Sequence, residues 1–269
     1  MGRLKLFTIL GAAVGLAGPA PAADLLGPAP RDYAEPAPAP GLAIAELGSG
    51  WYLRGDIGYV DYGKPGEKPY GIPVVPFDSA RLKSTYSAGL GIGYKFTSWL
   101  RADITGDYRN AAAFDARSSR TGYTEGYSLD HGKMQSSTLL LNGYIDLGTW
   151  SGITPYVGAG VGVAQNRFNN YSGQVVCLTA ACGDPTPGAS YPLGAQARTW
   201  VPSGTRTHLA WALMAGASME IMPGFLIDAG YRYVRLGDAR TKLDQYGVGT
   251  STKELSAHEI RVGIRYMID

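Results

Sequence analysis

The chain has 269 residues, 17% of them charged, with 38 Gly and 18 Tyr against 6 Phe and a formal net charge of +2. That balance argues against a soluble helical enzyme, and so small a charge, with acids and bases interspersed, excludes the basic stripe of a nucleic-acid binder. Only three His are available as imidazole bases.

Residues 1–22 carry Arg3 and Lys5, an apolar run from Leu6 to about Leu16, and Ala20-Pro21-Ala22 just before Ala23. This is the three-part pattern of a cleaved secretory signal. The apolar run falls short of the roughly 20 residues a spanning helix needs, so export is expected. Residues 23–48, rich in Ala and Pro and without a sustained period, read as an extended periplasmic tether. The remainder, 49–269, reads as one β domain.

From Gly50 a period of two recurs over 50–62, 82–96, 99–109, 133–147, 155–167, 206–221, 224–234 and 254–268. The connections alternate: FTSW, LGTWSGIT and IMPG are short, whereas 63–81, 110–132, 168–205 and 235–253 are long. This predicts an all-β fold: an eight-stranded antiparallel up-and-down transmembrane β-barrel with short periplasmic turns and four long extracellular loops. An even strand number returns both chain ends to the turn side.

Alternation alone also fits a secreted sandwich or a lipocalin-like carrier; the chemistry of the two faces separates them. One face is free of charge over the inner spans of the predicted strands (51–59, 86–94, 100–108, 139–145, 157–163, 211–213, 225–233 and 260–266) and sets aromatic residues at its edges: Trp51, Tyr59, Tyr86, Tyr94, Tyr108, Phe225, Tyr233 and Tyr266. Trp51 and Tyr59, Tyr86 and Tyr94, and Phe225 and Tyr233 are each eight residues apart. At about 3.3 Å per residue and a tilt near 40°, that separation is roughly 20 Å along the barrel axis, close to the apolar band between two aromatic girdles.

The other face collects Arg54, Lys95, Arg101, Arg232, Arg261 and Arg265 against Asp56, Asp103, Asp107, Asp146, Glu220, Asp228 and Glu259. Inside a narrow barrel these near-balanced charges are expected to form an internal ion-pair network that plugs the lumen. Gly89, Gly91 and Gly93 in one strand and Gly158, Gly160 and Gly162 in another would make room for it. Segregation of the charges by sign would instead give a water-filled pore.

Catalysis finds no support, since His131, His208 and His258 show no recognisable triad spacing. No catalytic, cofactor or metal site is predicted. Cys177 and Cys182, five residues apart in an exported chain, are expected to pair and pin a loop.

The stretches Ala23-Asp24, GWYLRGDIGY, TPYVGAGVGVA and HEIRVGIRY resemble the opacity-protein-like (porin-like) small outer-membrane β-barrel family of alphaproteobacteria, over essentially the whole chain. The resemblance implies a C-terminal assembly signal at Arg261, Gly263, Tyr266 and Ile268, read by the barrel-assembly machinery. The terminal Phe common in such barrels is absent, because the chain ends Ile268-Asp269. It further implies that an N-terminal Ala23 can be joined to peptidoglycan. The expected partners are outer-membrane lipid and lipopolysaccharide, the barrel-assembly machinery and peptidoglycan. The expected role is that of a structural surface antigen supporting envelope integrity, with a narrow channel and an adhesin acting through its loops as alternatives.

Overall fold

The computed structural model describes residues 50–64, 66–71, 77–118, 126–177, 182–183, 190–191, 196–244 and 247–268. The chain divides into two units, Met1–Ala43 and Ile44–Asp269. The signal, the tether and Ala23 lie outside the described residues.

Eight long strands form the second unit: β1 (Trp51–Tyr62), β2 (Thr85–Lys95), β3 (Leu100–Ser118), β4 (Gly126–Asp146), β5 (Ile153–Cys177), β6 (Gly204–Met222), β7 (Phe225–Arg240) and β8 (Val248–Ile268). Each pairs antiparallel with the next, and β8 closes on β1 from Trp51↔Ile268 to Tyr62↔Ala257. A sideways path from Trp51 runs through Tyr94, Ala102, Gly143, Ala159, Leu213, Tyr233 and His258 and returns to β1 at Asp61, ten residues along. With a rise of about 3.3 Å and a strand spacing of about 4.8 Å, eight strands and that stagger set a tilt near 41° and a radius of about 8 Å. Side chains suffice to fill such a bore.

The short turns follow local chemistry. Pro223 and Gly224 join β6 to β7, and Gly224 at φ 77° takes the left-handed position that a type II turn assigns to glycine after proline. Ser151 (φ 51°) and Gly152 (φ 81°) make the two-residue hairpin between Trp150 and Ile153. Between β2 and β3 the Thr97 hydroxyl accepts the Leu100 amide at 2.9 Å.

The outer face is greasy over the predicted spans: Leu53, Ile57, Leu90, Ile104, Leu141 and Val262 are all exposed, Leu90 by 74%. Aromatic contacts mark its two rims. Trp51 meets Tyr94 at 5.3 Å, and Phe225 meets Tyr266 at 4.6 Å, near the turns. Tyr59 meets Tyr86 at 5.9 Å and Trp211 meets Tyr233 at 5.5 Å at the far rim. Exposed apolar surface on this scale belongs in hydrocarbon, not water.

Beyond the far rim the strands continue well past the predicted ends, through most of what the sequence suggests are loops. β3 runs to Ser118, β4 begins at Gly126 and β5 ends at Cys177. Three further strands extend the wall: Gly66–Gly71 pairs with β8, Ser79–Leu82 with β3, and Gln196–Val201 with β5. Cys182–Gly183 pairs with Ser190–Tyr191. The side chains of Cys177 and Cys182, and so their expected pairing, lie outside the described residues.

Polarity inverts with height. Above the rim the inward positions are apolar: Val60, Phe114, Met134, Phe168, Leu236 and Leu255 are fully buried in one cluster. The outward positions beside them, His131, Lys133 and Arg167, are exposed. Out of the bilayer the barrel obeys the rule of a soluble protein, so a search for apolar-out, polar-in alternation loses the strand there.

Candidate functional site: the lumen

Below the apolar cluster, charges enter the bore from five strands. β1 supplies Arg54 and Asp56; β3 supplies Arg101, Asp103, Asp107 and Arg109; β4 supplies Asp146; β7 supplies Asp228 and Arg232; and β8 supplies Glu259, Arg261 and Arg265. Six guanidinium groups thus face six carboxylates among the described residues, all in ion pairs.

The pairs form a chain across the lumen. Arg109 Nε lies 2.6 Å from Glu259, which also binds Arg232 Nη2 at 2.6 Å. Arg232 Nη1 reaches Asp107 at 2.8 Å, and Asp107 takes Arg261 Nη2 at 2.7 Å. Arg261 continues to Asp56 at 3.2 Å, Asp56 to Arg54 at 2.7 Å, and Arg54 to Asp103 at 3.0 Å. Neutral donors complete Asp103: Asn142 Nδ2 donates at 2.7 Å and the Tyr52 hydroxyl at 3.1 Å.

Two further pairs flank the chain. Arg101 Nε lies 3.1 Å from Asp146, and its guanidinium sits 4.0 Å from the Tyr144 ring centroid and 4.7 Å from that of Tyr156. Arg265 takes Asp228 at 2.9 Å and lies over the Tyr52 ring. Arginine suits these places because its planar fork meets carboxylates and stacks on rings at once.

The walls that lack charge supply space. A Cβ at Gly89 would strike the Asp107 carboxylate, one at Gly93 the Tyr52 ring, and one at Gly160 the Asn142 amide. Gly263 likewise leaves room for Asp56, whose Oδ1 would lie 2.5 Å from an added Cβ. A cavity of about 20 Å³ lies among Arg54, Tyr144, Asp228 and Arg261, room for about one water.

Two predicted members stand outside this network. Lys95 is exposed at the turn end of β2. Glu220 is also exposed, and its Oε1 accepts the Gly224 amide at 3.1 Å, so it caps the turn. Both sit at strand ends, where alternation no longer fixes which side faces the bore; at Glu220 the β6–β7 register also shifts. The sequence reading missed Arg109, fully buried and paired with Glu259. Arg109 shares the phase of 101, 103, 105 and 107 and occupies the last position of the predicted 99–109 strand, so the alternation itself places it inward.

The histidines make separate contacts. His131 Nδ1 lies 2.8 Å from Asp115 on the outer surface, His258 Nδ1 lies 2.5 Å from the Tyr231 hydroxyl at the rim, and His208 is half-buried beside Gly237. No group of acids, His and Cys that could hold a metal occurs among the described residues.

One buried carboxyl lies above the bilayer. Asp130 accepts the Tyr171 hydroxyl at 2.9 Å and Ser128 at 3.3 Å, and Tyr171 in turn accepts Thr250 at 2.7 Å. Burial pushes the Asp130 carboxyl up to about 6 against the opposing pull of those hydrogen bonds. At the surface, Asp115 is held below the usual carboxylate range by His131 and Lys83.

A closed antiparallel ring, greasy outside and ionic within, defines a small barrel of the bacterial outer membrane. The chain belongs to the outer membrane protein beta-barrel domain family, whose description matches residues 10–267. It is 32% identical over 284 residues to an uncharacterized Brucella abortus protein, covering 92% of each chain. It is 26% identical over 234 residues to a Rickettsia felis protein named "Putative adhesin", covering 83% of this chain and 90% of that one. Among solved structures, OprG of Pseudomonas aeruginosa is similar at 15% identity with a TM-score of 0.45, over 81% of this chain and 96% of that one. Neisserial surface protein A is similar at 17% identity with a TM-score of 0.41, over 81% of this chain and 97% of that one.

Proposed function

We propose that this barrel serves the envelope as a closed structural element and carries out no catalysis. One observation carries the reading: six arginines and six carboxylates neutralise one another across the bore, under a lid of packed apolar side chains. Open diffusion needs a continuous wet path, and a radius of about 8 Å filled in both halves leaves little room for one. The family supports residence in the outer membrane.

Peptidoglycan attachment through Ala23 extends the same reading, motivated by the Ala20-Pro21-Ala22 cleavage pattern and the Pro-rich 23–48 stretch. A strain lacking the chain should become sensitive to detergent and shed outer-membrane vesicles, and the full chain should restore both properties. Wild-type resistance in the deletion strain, with no muropeptide on Ala23, would contradict the role.

A second reading, surface adhesion, is favoured by the name of the Rickettsia relative. Loss of cell binding on trimming 168–205, with the barrel still folded, would support it.

A further inference from the structure

On the outer wall formed by β4, β5 and β6 the side chains change character in ordered rows. The row Leu139–Val163–Leu209 is apolar and exposed, Leu209 by 72%. One step up, Ser137–Gln165–Thr207 is polar and uncharged. The next row is Gln135–Arg167–Thr205, and above it stand Lys133 and Asn169. Tyr108, at the rim, accepts the Gln135 amide at 2.7 Å, which ties the polar rows to the aromatic girdle.

Arg167 and Lys133 are exposed, and neither forms an ion pair among the described residues. Asp115, opposite His131 on the adjoining strand, is already engaged by that His and by Lys83 at 3.4 Å. On the β7–β8 wall, by comparison, Arg235 is paired with Glu254 at 3.0 Å. The β4–β5–β6 wall thus presents two cations without an ion pair among the described residues, set above hydrocarbon-facing residues.

We propose that this wall binds a phosphorylated, multiply acylated glycolipid of the outer leaflet, with phosphate on Arg167 and Lys133 and acyl chains over Leu139, Val163 and Leu209. From the apolar row to the Arg167 row is four residues, roughly 10 Å along the axis at a tilt near 41°. That is a distance suited to a headgroup seated above its own chains. Three apolar strands side by side span about 10 Å, wide enough for more than one chain, which favours a multiply acylated lipid. Arginine and lysine can lay their stems along the wall while their charged ends reach a phosphate.

The test is native mass spectrometry of the full chain released from phosphatidylcholine nanodiscs doped with bisphosphorylated lipid A, dephosphorylated lipid A or phosphatidylglycerol. Wild type should retain lipid A about tenfold more than the K133A/R167A variant, and K253A, at an exposed lysine on β8, should match wild type. Heat-modifiable mobility verifies folding, and K133Q and R167Q singly carry the result if the double variant folds poorly. Equal retention by the double variant, or of dephosphorylated lipid A, would overturn the proposal. Equal retention of phosphatidylglycerol would overturn the assignment to a glycolipid.

Discussion

Asp107 is the node of the lumen, because it binds Arg232 and Arg261 together. Its replacement by Ala leaves Arg232 on Glu259 and Arg261 on Asp56 with one buried positive charge in excess, and an uncompensated buried charge of this kind costs about 3–5 kcal/mol. A urea titration in lipid vesicles should show that loss for D107A, whereas K95A, altering an exposed lysine, should stay within about 0.5 kcal/mol of wild type. Asp130 should impose a pH dependence on the extracellular wall. Between about 4 and about 6 the folded chain holds a proton on this carboxyl that the unfolded chain has released. The resulting stabilisation is full below about 4 and is lost as the pH rises through about 6. Amide exchange in the strand ends around Ser128 and Tyr171 should therefore quicken across that window, and D130N should flatten the profile.

The extracellular halves of the strands rest on a different force from the halves in the bilayer. Phe114 packs edge-on against Phe168 at 5.5 Å and beside Tyr171 at 6.0 Å. F114A should cost about 3–5 kcal/mol in that cluster, and amide protection should fall at Ala112–Ala116 while the girdled spans keep theirs. The same division explains what could be read from the chain beforehand. Leu139, Leu141 and Ile145 alternate against Leu140, Asn142 and Tyr144, and lipid on the outside makes that pattern legible even with one apolar residue inside. Higher on β4, Met134 points inward and Lys133 outward. The period survives there and keeps both residues inside the predicted 133–147 strand, but the sign of the polarity has changed, and past residue 133 the alternation no longer marks a strand. Lys95 and Glu220 were misplaced for a related reason: alternation continued on paper to the turns, where the bore ends. Ion partners such as Arg109 and Glu259 lie 150 residues apart, and only closure of the ring sets them together.

For the molecule as a whole, closure of β8 on β1 makes the bore, the stagger of ten residues sets its width, and two kinds of filling occupy it in series. Charges alone could leave a hydrated path between them, and an apolar layer alone could open as the strand ends fray. On the proposed closed-bore reading, the two layers act in series against the passage of ions. Removing one layer should therefore be less effective than removing both, with F114A and D107A conducting measurably only in combination. The most direct test is single-channel recording of the full chain in planar bilayers. A closed bore predicts a quiet baseline with no stable steps for the wild type, and stable steps of large conductance would contradict it.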